Sequence, residues 1–464
     1  MKSTDIRVVA AQAYFLPVVM RVPLKFGPET VTEALCLRVC VEVETHQGKR
    51  AKGWGETPLS VSWVWPSSLS VGERLAAMKA ISCDLAAELV RSNLSGHPIE
   101  IGADFIDGPL SQLTRRHNEG RESQHALPYL ASLVAFSAYD IAVHDAYGQV
   151  HGADIYQLYG HEHLSRNLAD FLHSEDAQIS FQDRHPSDFL IHDAPKRLPV
   201  WHLVGGVDPL EQADLRGDEP ADGYPLLLAD WIKRDGLRCL KIKLRGNDAA
   251  WDYQRICKVG EIGLNLGVKW LSVDFNCTVR DPAYVNAIMD QLLRDEPELY
   301  ARTLYIEQPF AYDLEAHPID VRSVSARKPL FLDESAHDWH FVKLGRSLGW
   351  SGVALKTCKT QTGALLSLCW ARAHGMPLMV QDLTNPMLAM IPHVRLAAHA
   401  GTIQGVECNA MQFYPQASLA EEKIHPGLFV RLHGEVDLST LGGPGFGHRQ
   451  DLIARQLPSP AITT

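Results

Sequence analysis

Five charged residues each lie at or near the end of a short apolar run in the second half of the chain: Lys243, Asp274, Glu307, Asp333 and Lys356. They are 23 to 33 residues apart, which is enough for a strand and the crossover that leads to the next parallel strand. Equivalent ends of neighbouring parallel strands meet at one mouth of a barrel, so we expect these side chains to converge.

Three carboxylates that meet without a cation repel one another, and at least one of them keeps a proton. A hard divalent ion removes this conflict, and all-oxygen ligands favour Mg²⁺, with Mn²⁺ as the alternative. The sequence therefore predicts a metal site at Asp274, Glu307 and Asp333, with open positions for water and substrate. Helix capping could explain any one acid, such as Asp333 before Glu334 and Ser335, but not the whole pattern.

The two lysines flank the three acids along the chain, so in a barrel they should approach the cation from opposite sides. Lys241 lies two residues before Lys243, and both side chains should therefore face inward. Like charge nearby lowers the pKa of a lysine, and the neutral amine is a base. Two such bases could remove a proton from one face of a carbon and return it to the other.

Eight apolar runs alternate with helical stretches between residues 198 and 415, a rhythm typical of a parallel (β/α)₈ barrel. The charged residues end runs two to six. The predicted strands are Leu198–Val204, Arg238–Leu244, Lys269–Phe275, Thr303–Glu307, Lys328–Asp333, Gly352–Lys356, Pro377–Asp382 and Gln404–Cys408.

The first 160 residues have a different pattern, which indicates a separate α+β domain. Residues 6–20 and 35–45 are typical of strands, and the proline-punctuated stretch 21–28 between them is predicted to be a loop. From about 71 to 160 the apolar positions recur at helical spacing. Residues 161–197 show little periodicity and are interpreted as an irregular surface insertion, with a lid as the alternative.

Composition excludes several classes of protein. The 464 residues carry a formal net charge of −11, so there is no basic excess for binding nucleic acid or an anionic membrane. The nine cysteines are scattered without a CxxC pair, which favours reduced thiols and a cytoplasmic protein. No apolar run approaches the roughly 20 residues of a transmembrane helix.

The motifs around the charged residues resemble those of the enolase superfamily, muconate-lactonizing subgroup. The N-terminal segments Gly53-Trp-Gly-Glu56 and Ala142-Val-His-Asp145 and the later Gly443-Pro-Gly-Phe-Gly447 are similar too. The barrel motifs are Lys241-Ile-Lys243, Val273-Asp-Phe-Asn276, Ile306-Glu-Gln-Pro309, Leu332-Asp-Glu-Ser335 and Ala354-Leu-Lys356.

This resemblance implies an α/β fold: a modified TIM (β/α) barrel with an N-terminal α+β capping domain, to which the C-terminal segment 416–464 returns. The three acids would hold the metal, and Lys243 and Lys356 would be the bases. Lys241 would bind the carboxylate of a small-molecule substrate, and Glu334 would support Lys356. The loops near 14–28 and 56–66 would cover the substrate, and a homo-oligomer is expected.

The sequence departs from the family pattern in two places that bear on the substrate. Lys359-Thr-Gln-Thr-Gly363 replaces the usual Gly-Gly pair after the sixth-strand lysine, and run eight lacks the paired aspartates of the dipeptide epimerases. The Asp–His dyad of mandelate racemase and many acid-sugar dehydratases is also not apparent. The candidate substrate contacts are Asn276, Asp382, Asn385, Glu407 and Asn409.

The predicted first step is Mg²⁺-dependent removal of the proton next to a carboxylate, with a stabilised enolate intermediate. Racemisation or epimerisation and cycloisomerisation are the expected outcomes, and β-elimination by an acid-sugar-type dehydratase is the alternative. Two further alternatives are a Schiff-base aldolase, which would not need the carboxylates, and a relative that only binds a carboxylate ligand.

Overall fold

The computed structural model describes residues 2–26 and 29–464. The N-terminal part contains an antiparallel sheet of strands β1 (Ile6–Phe26), β2 (Glu29–Thr45), β3 (Arg50–Pro58) and β4 (Ser95–Gly96). The C-terminal strand β14 (Ile462–Thr463) returns to pair with β1, so the sheet order is β14-β1-β2-β3, with β4 also on β1. The helices of this part are α1 (Val61–Val64), α2 (Val71–Arg91), α3 (Pro98–Phe105), α4 (Ser111–Asn118) and α5 (Tyr129–His151).

Eight parallel strands form the nearly closed barrel that the sequence predicts, in the order β11-β10-β9-β8-β7-β6-β5-β12. Each of the eight predicted runs coincides with one strand to within a few residues, which confirms the predicted fold class. The strands are β5 (Arg197–Val204), β6 (Cys239–Lys243), β7 (Trp270–Asp274), β8 (Thr303–Glu307), β9 (Leu330–Leu332), β10 (Gly352–Leu355), β11 (Leu378–Val380) and β12 (Val406–Glu407), and β13 (Glu435–Asp437) adds to β5.

Helices surround this barrel and connect its strands. The longest follow β6, β7, β10 and β11. They are α6 (Leu228–Asp235), α7 (Ala249–Asn265), α8 (Pro282–Asp295), α9 (Pro297–Arg302), α10 (Arg322–Ser325), α11 (Trp339–Leu348), α12 (Gln361–Ala373), α13 (Met390–Ala400), α14 (Ala410–Phe413), α15 (Leu419–Glu422) and α16 (Pro426–Phe429).

The predicted loop at 21–28 is wrong as far as Phe26, because β1 continues through that residue. The β1–β2 register shifts between Val19 and Leu24, and this irregularity accommodates Pro23 without ending the strand. Gly27 and Pro28 lie outside the described residues. The proline signal therefore marks a bulged section of a long hairpin.

Segment 161–197 contains little regular secondary structure and packs against the outer surface of the barrel helices. The indole of Trp370 donates to the carbonyl of His173 (3.0 Å), and the amide of Ile191 donates to the carbonyl of His399 (2.9 Å). Trp370 and His399 lie towards the C-terminal ends of α12 and α13, which is the barrel end opposite to the C-terminal ends of the strands. These contacts fit the surface insertion better than the lid.

Helix α5 is the buried centre of the N-terminal domain. Contrary to the expectation that no apolar run approaches the length of a transmembrane helix, the stretch Ser123–His151 is long and apolar enough to cross a membrane by length and composition. However, 83% of its most apolar window is buried inside the protein. A helix buried in this way is typical of a core helix, which passes the same test of composition.

Replacing Gly55 in β3 by alanine is expected to destabilise the protein by about 1–3 kcal/mol, as overpacking does. A Cβ atom at Gly55 would collide with the backbone carbonyl of Ala138 in α5, and backbone cannot move aside as a side chain can. Chemical denaturation would measure the loss. Gly206→Ala is the control, because no atom lies within 4 Å of its added Cβ; equal losses would contradict the close-approach explanation.

Candidate active site

The ends of neighbouring strands bring three of the predicted residues to one level of the barrel. In the parallel ladders Lys243 pairs with Asp274, and Asp274 pairs with Glu307. Asp333 directly follows β9, and Lys356 directly follows β10. All five predicted residues thus lie at the C-terminal mouth of the barrel, where barrel enzymes carry their chemistry.

Lys241 lies among the acids rather than beside them. Its ammonium group is 2.6 Å from Glu307 Oε1, 3.1 Å from Glu407 Oε2 and 3.2 Å from Asp274 Oδ2. The side chain is only 2% exposed. Lys243 forms a second ion pair with Asp274, so this carboxylate is shared by two lysines.

Asp333 belongs to a second group of charges on the other side of the mouth. The Lys356 ammonium lies 3.0 Å from Asp333 Oδ2 and donates to the carbonyl of Asp382 (3.1 Å). Lys359 donates to the carbonyl of Asp333 and lies 3.4 Å from its Oδ1. Asp333 is therefore the common partner of two buried lysines.

For Lys241 and Lys356 the neighbouring acids act on the pKa in the direction opposite to that of like charge. Burial alone would lower the pKa of Lys241, but Glu307, Glu407 and Asp274 raise it well above its ordinary value. Burial also acts against the charge of Lys356, and Asp333 more than offsets it, so the pKa of Lys356 is raised as well. The carboxylates favour the ammonium form of both side chains.

Carboxyl groups outnumber lysines in this site, and this surplus of negative charge favours a divalent cation. Six carboxyl groups face four lysines, which leaves two negative charges when all are ionised. Burial holds the pKa of Glu307 well above its usual range, and the Asp274 carboxylate raises it further. The acids are Asp274, Glu307, Asp333, Glu334, Asp382 and Glu407, and the lysines are Lys241, Lys243, Lys356 and Lys359.

The donor chemistry and the charge thus suit Mg²⁺, although the acids do not converge on one point. Within residues 2–26 and 29–464, no three Asp, Glu, His or Cys side chains form a ready-made metal cluster. The reason is visible at Lys241, whose ammonium lies where Asp274 and Glu307 approach each other. A cation held by these acids would replace Lys241 as their counter-charge.

Glu334, the predicted support of Lys356, makes its hydrogen bonds elsewhere. Its Oε1 accepts from the amide of Asn276 (3.1 Å) and from the indole N–H of Trp63 (3.0 Å). Asn276 also lies 3.4 Å from Asp274 Oδ2, which places this candidate substrate contact between two acids. The supporting role of Glu334 stays a prediction.

The remaining residues predicted to contact the substrate form most of their hydrogen bonds with one another. Asn409 donates to Glu407 Oε1 (2.7 Å), and its backbone amide donates to Asp382 Oδ2 (2.9 Å). Asn385 accepts from the amide of Leu383 (3.3 Å), so it shapes its own loop. Asp382, Glu407 and Asn409 thereby order the surroundings of Lys241 and Lys356, and their contact with substrate stays a prediction.

Three contributors to the site were not selected by the sequence argument. Lys359 enters the sequence argument only as part of a departure from the family pattern, although its spacing of three from Lys356 could have indicated that the two lysines lie close together. Gln381 donates to Glu307 and lies 3.1 Å from the hydroxyl of Tyr305. Trp63 comes from the other domain, and a tryptophan in a loop is as often a packing residue.

Asp140 of α5 holds the segment that follows Lys356. Its carboxylate accepts from the backbone amide (2.9 Å) and the hydroxyl (2.7 Å) of Thr362. His144 lies 3.0 Å from the same hydroxyl and 2.8 Å from the hydroxyl of Tyr159. The N-terminal domain therefore fixes the first turn of α12, where the family pattern would have glycines.

Asp140→Asn is expected to remove a pH dependence of stability. Burial raises the pKa of Asp140 to about 6, against the lowering effect of the Thr362 hydrogen bonds. The folded state therefore holds the proton more tightly than the unfolded chain, and the stability of the wild type falls as the pH rises from about 4 to about 6. Relative to Asp140→Asn, the wild type should lose about 2 kcal/mol across this window.

Denaturation curves at pH 4, 5, 6 and 7 would measure this difference, with the exposed Asp193→Asn as control. A constant difference between the wild type and Asp140→Asn at all four pH values would contradict the prediction.

The fold and the site together define an (α/β)-barrel protein with a capping domain, whose buried acids and lysines meet at the C-terminal mouth. Residues 226–452 match the family model described as enolase C-terminal domain-like. The barrel part of the chain is therefore similar to the enolase C-terminal domain-like family, in agreement with the resemblance inferred from the motifs. No curated protein sequence matches the chain.

Solved structures share this fold over nearly the whole chain. The L-Ala-D/L-Glu epimerase from Bacillus subtilis has a TM-score of 0.62 at 18% identity, covering 98% of this chain and 100% of its own. The N-succinyl Arg/Lys racemase from Bacillus cereus has 0.61 at 17%, covering 99% of each chain. A dipeptide epimerase from Enterococcus faecalis, complexed with Mg and a dipeptide, has 0.60 at 15%, covering 95% of this chain and 99% of its own. At these identities the likeness shows the fold.

Proposed function

We propose that this protein is an isomerase that removes the proton next to the carboxylate of a small molecule, with Mg²⁺ as cofactor. Return of a proton to the same carbon would racemise or epimerise the substrate. In a lactone, breakage of the β C–O bond of the enolate would instead release the ring oxygen as a carboxylate, which is cycloisomerisation in the ring-opening direction. One observation carries the proposal: two lysines from β6 and the end of β10 flank three buried acids from β7, β8 and β9 at one mouth of the barrel. Its cytoplasmic location and a homo-oligomeric state are further predictions.

Asp274, Glu307 and Asp333 would hold the metal, which supplies positive charge to the substrate carboxylate. Lys241, released from the acids, would donate hydrogen bonds to that carboxylate. Lys243 or Lys356 would accept the α-proton, and the electron pair of the C–H bond would move into the carboxylate as an ene-diolate. The opposite lysine would donate its proton to the same carbon, which inverts the centre and leaves charge and atoms balanced.

The raised pKa of Lys241 and Lys356 has a direct consequence for this chemistry. A lysine must be neutral to accept a proton, and the acids oppose that state. When the acids share their charge with a divalent cation, their hold on the ammonium groups weakens. The base form of Lys356 therefore depends on how fully Asp333 is neutralised.

Solvent exchange tests the proposal. The protein with Mg²⁺ in D₂O is expected to place deuterium at the α-carbon of at least one carboxylate in a panel of N-succinyl amino acids, dipeptides and lactones. Mass spectrometry and NMR would locate the label, and the product would separate inversion from elimination. Absence of deuterium throughout the panel would refute the proposal, and borohydride trapping of substrate on Lys356 would favour the aldolase instead.

A further inference from the structure

We infer that Trp63 of the capping domain is a positioning residue for Lys356, holding its ammonium group at one side of the reacting carbon. The inference rests on the proposed function and adds a residue from the other domain to it. Trp63 lies in α1, which follows β3, and is separated from Lys356 by almost 300 positions in the chain.

The contacts of Trp63 point to the charged groups of the barrel. The Lys356 ammonium lies over the indole ring at 4.7 Å from its centroid, and the Lys359 ammonium lies at 5.5 Å. The indole N–H donates to Glu334 Oε1 at 3.0 Å. One side chain thus touches two cations with its face and one carboxylate with its edge.

Burial strengthens the contacts between Trp63 and the lysines. Trp63 is 6% exposed and Lys356 is 4% exposed, so the ring replaces water over the ammonium group. A cation–π contact is stronger when it is desolvated, and tryptophan is the best aromatic partner for it. Because the ring covers one side of Lys356 and the Asp333 carboxylate holds it at 3.0 Å, the amine has few directions left in which to move.

Trp65, two residues after Trp63, shows that a buried tryptophan in this part of the capping domain does not by itself make these contacts. Trp65 is also buried, at 1% exposure, but its neighbours belong to the capping domain. The guanidinium of Arg121 lies over its ring at 5.7 Å, and Arg74 donates to its carbonyl at 2.7 Å. Trp65 is therefore a matched control for the loss of a buried indole.

The test compares the two enantiomers of a carboxylate that the wild type deuterates. Lys356→Ala first identifies the enantiomer whose exchange requires Lys356. Trp63→Leu should slow the exchange of that enantiomer about tenfold, the size of a desolvated cation–π contact. The mirror-image substrate, which depends on Lys243, should stay within about twofold. Trp63→Phe keeps a ring face and should recover most of the rate, and Trp65→Phe should leave both rates unchanged.

Equal slowing of both enantiomers, or an equal rise in KM for both, would overturn the inference, because a general structural role or plain substrate contact predicts that result. Unchanged rates in Trp63→Leu would overturn it too.

A second measurement needs no substrate. Acetic anhydride should acetylate Lys356 and Lys359 severalfold faster in Trp63→Leu than in the wild type, with exposed Lys233 as the internal standard for peptide mass spectrometry. An unchanged rate of acetylation would show that Trp63 does not shield Lys356 from solvent. If the wild type deuterates no carboxylate, the proposed function fails, and the labelling still decides whether Trp63 covers the lysine.

Discussion

Lys356→Met is expected to slow α-deuteration of one enantiomer of a carboxylate substrate by roughly 10²- to 10⁴-fold, the usual contribution of a positioned base. The other enantiomer should exchange at close to the wild-type rate, and Lys243→Met should show the reverse preference. The physical reason is that each lysine can reach only one face of a carbon held between them. Exchange of each enantiomer, followed by NMR in D₂O, is the measurement.

The charge of Lys356 must be separated from its action as a base, because Asp333 depends on it. Lys356→Arg keeps a cation beside Asp333 but cannot lose a proton near neutral pH. Both Lys356→Arg and Lys356→Met should therefore lose exchange of the same enantiomer. The exposed Lys269→Ala is the control for purification and folding. If each lysine variant lost both enantiomers equally, the two lysines would not act on opposite faces.

The strand ends of the barrel could be predicted from the sequence because their signal is local. Asp274 and Glu307 each lie at or near the end of a short apolar run, and the spacing between successive runs matches one crossover between parallel strands. The ladders then place these residues side by side. Periodicity and spacing therefore carry enough information to locate the mouth of the barrel and its acids.

The partners of those residues could not be predicted in the same way, since they depend on packing between distant segments. The indole of Trp63 bonds to Glu334 across 271 positions of the chain, and Asp140 holds Thr362 across 222. No local pattern encodes such contacts. The position of Lys241 among the acids was missed for a related reason: the strand period shows that it faces inward but not which counter-charge it meets.

Mg²⁺ is expected to stabilise the wild type against unfolding, by about 2.7 kcal/mol at a concentration of 100 times its dissociation constant. Glu307→Gln should lose most of this effect, because it removes one of the three charged ligands and one of the six acids that give the site its negative surplus. Thermal unfolding with increasing Mg²⁺, reversed by EDTA, would measure the change without any substrate.

The control must distinguish a bound ion from general screening of a protein with a net charge of −11. NaCl at matched ionic strength should not reproduce the stabilisation, since screening acts on all exposed charges alike. Glu162→Gln, which removes an exposed acid of the surface insertion, should keep the full response to Mg²⁺. If Glu307→Gln responded to Mg²⁺ as the wild type does, the acids of β7, β8 and β9 would not hold the ion. Lys241 would then be their permanent counter-charge, and the proposed chemistry would lose its cofactor.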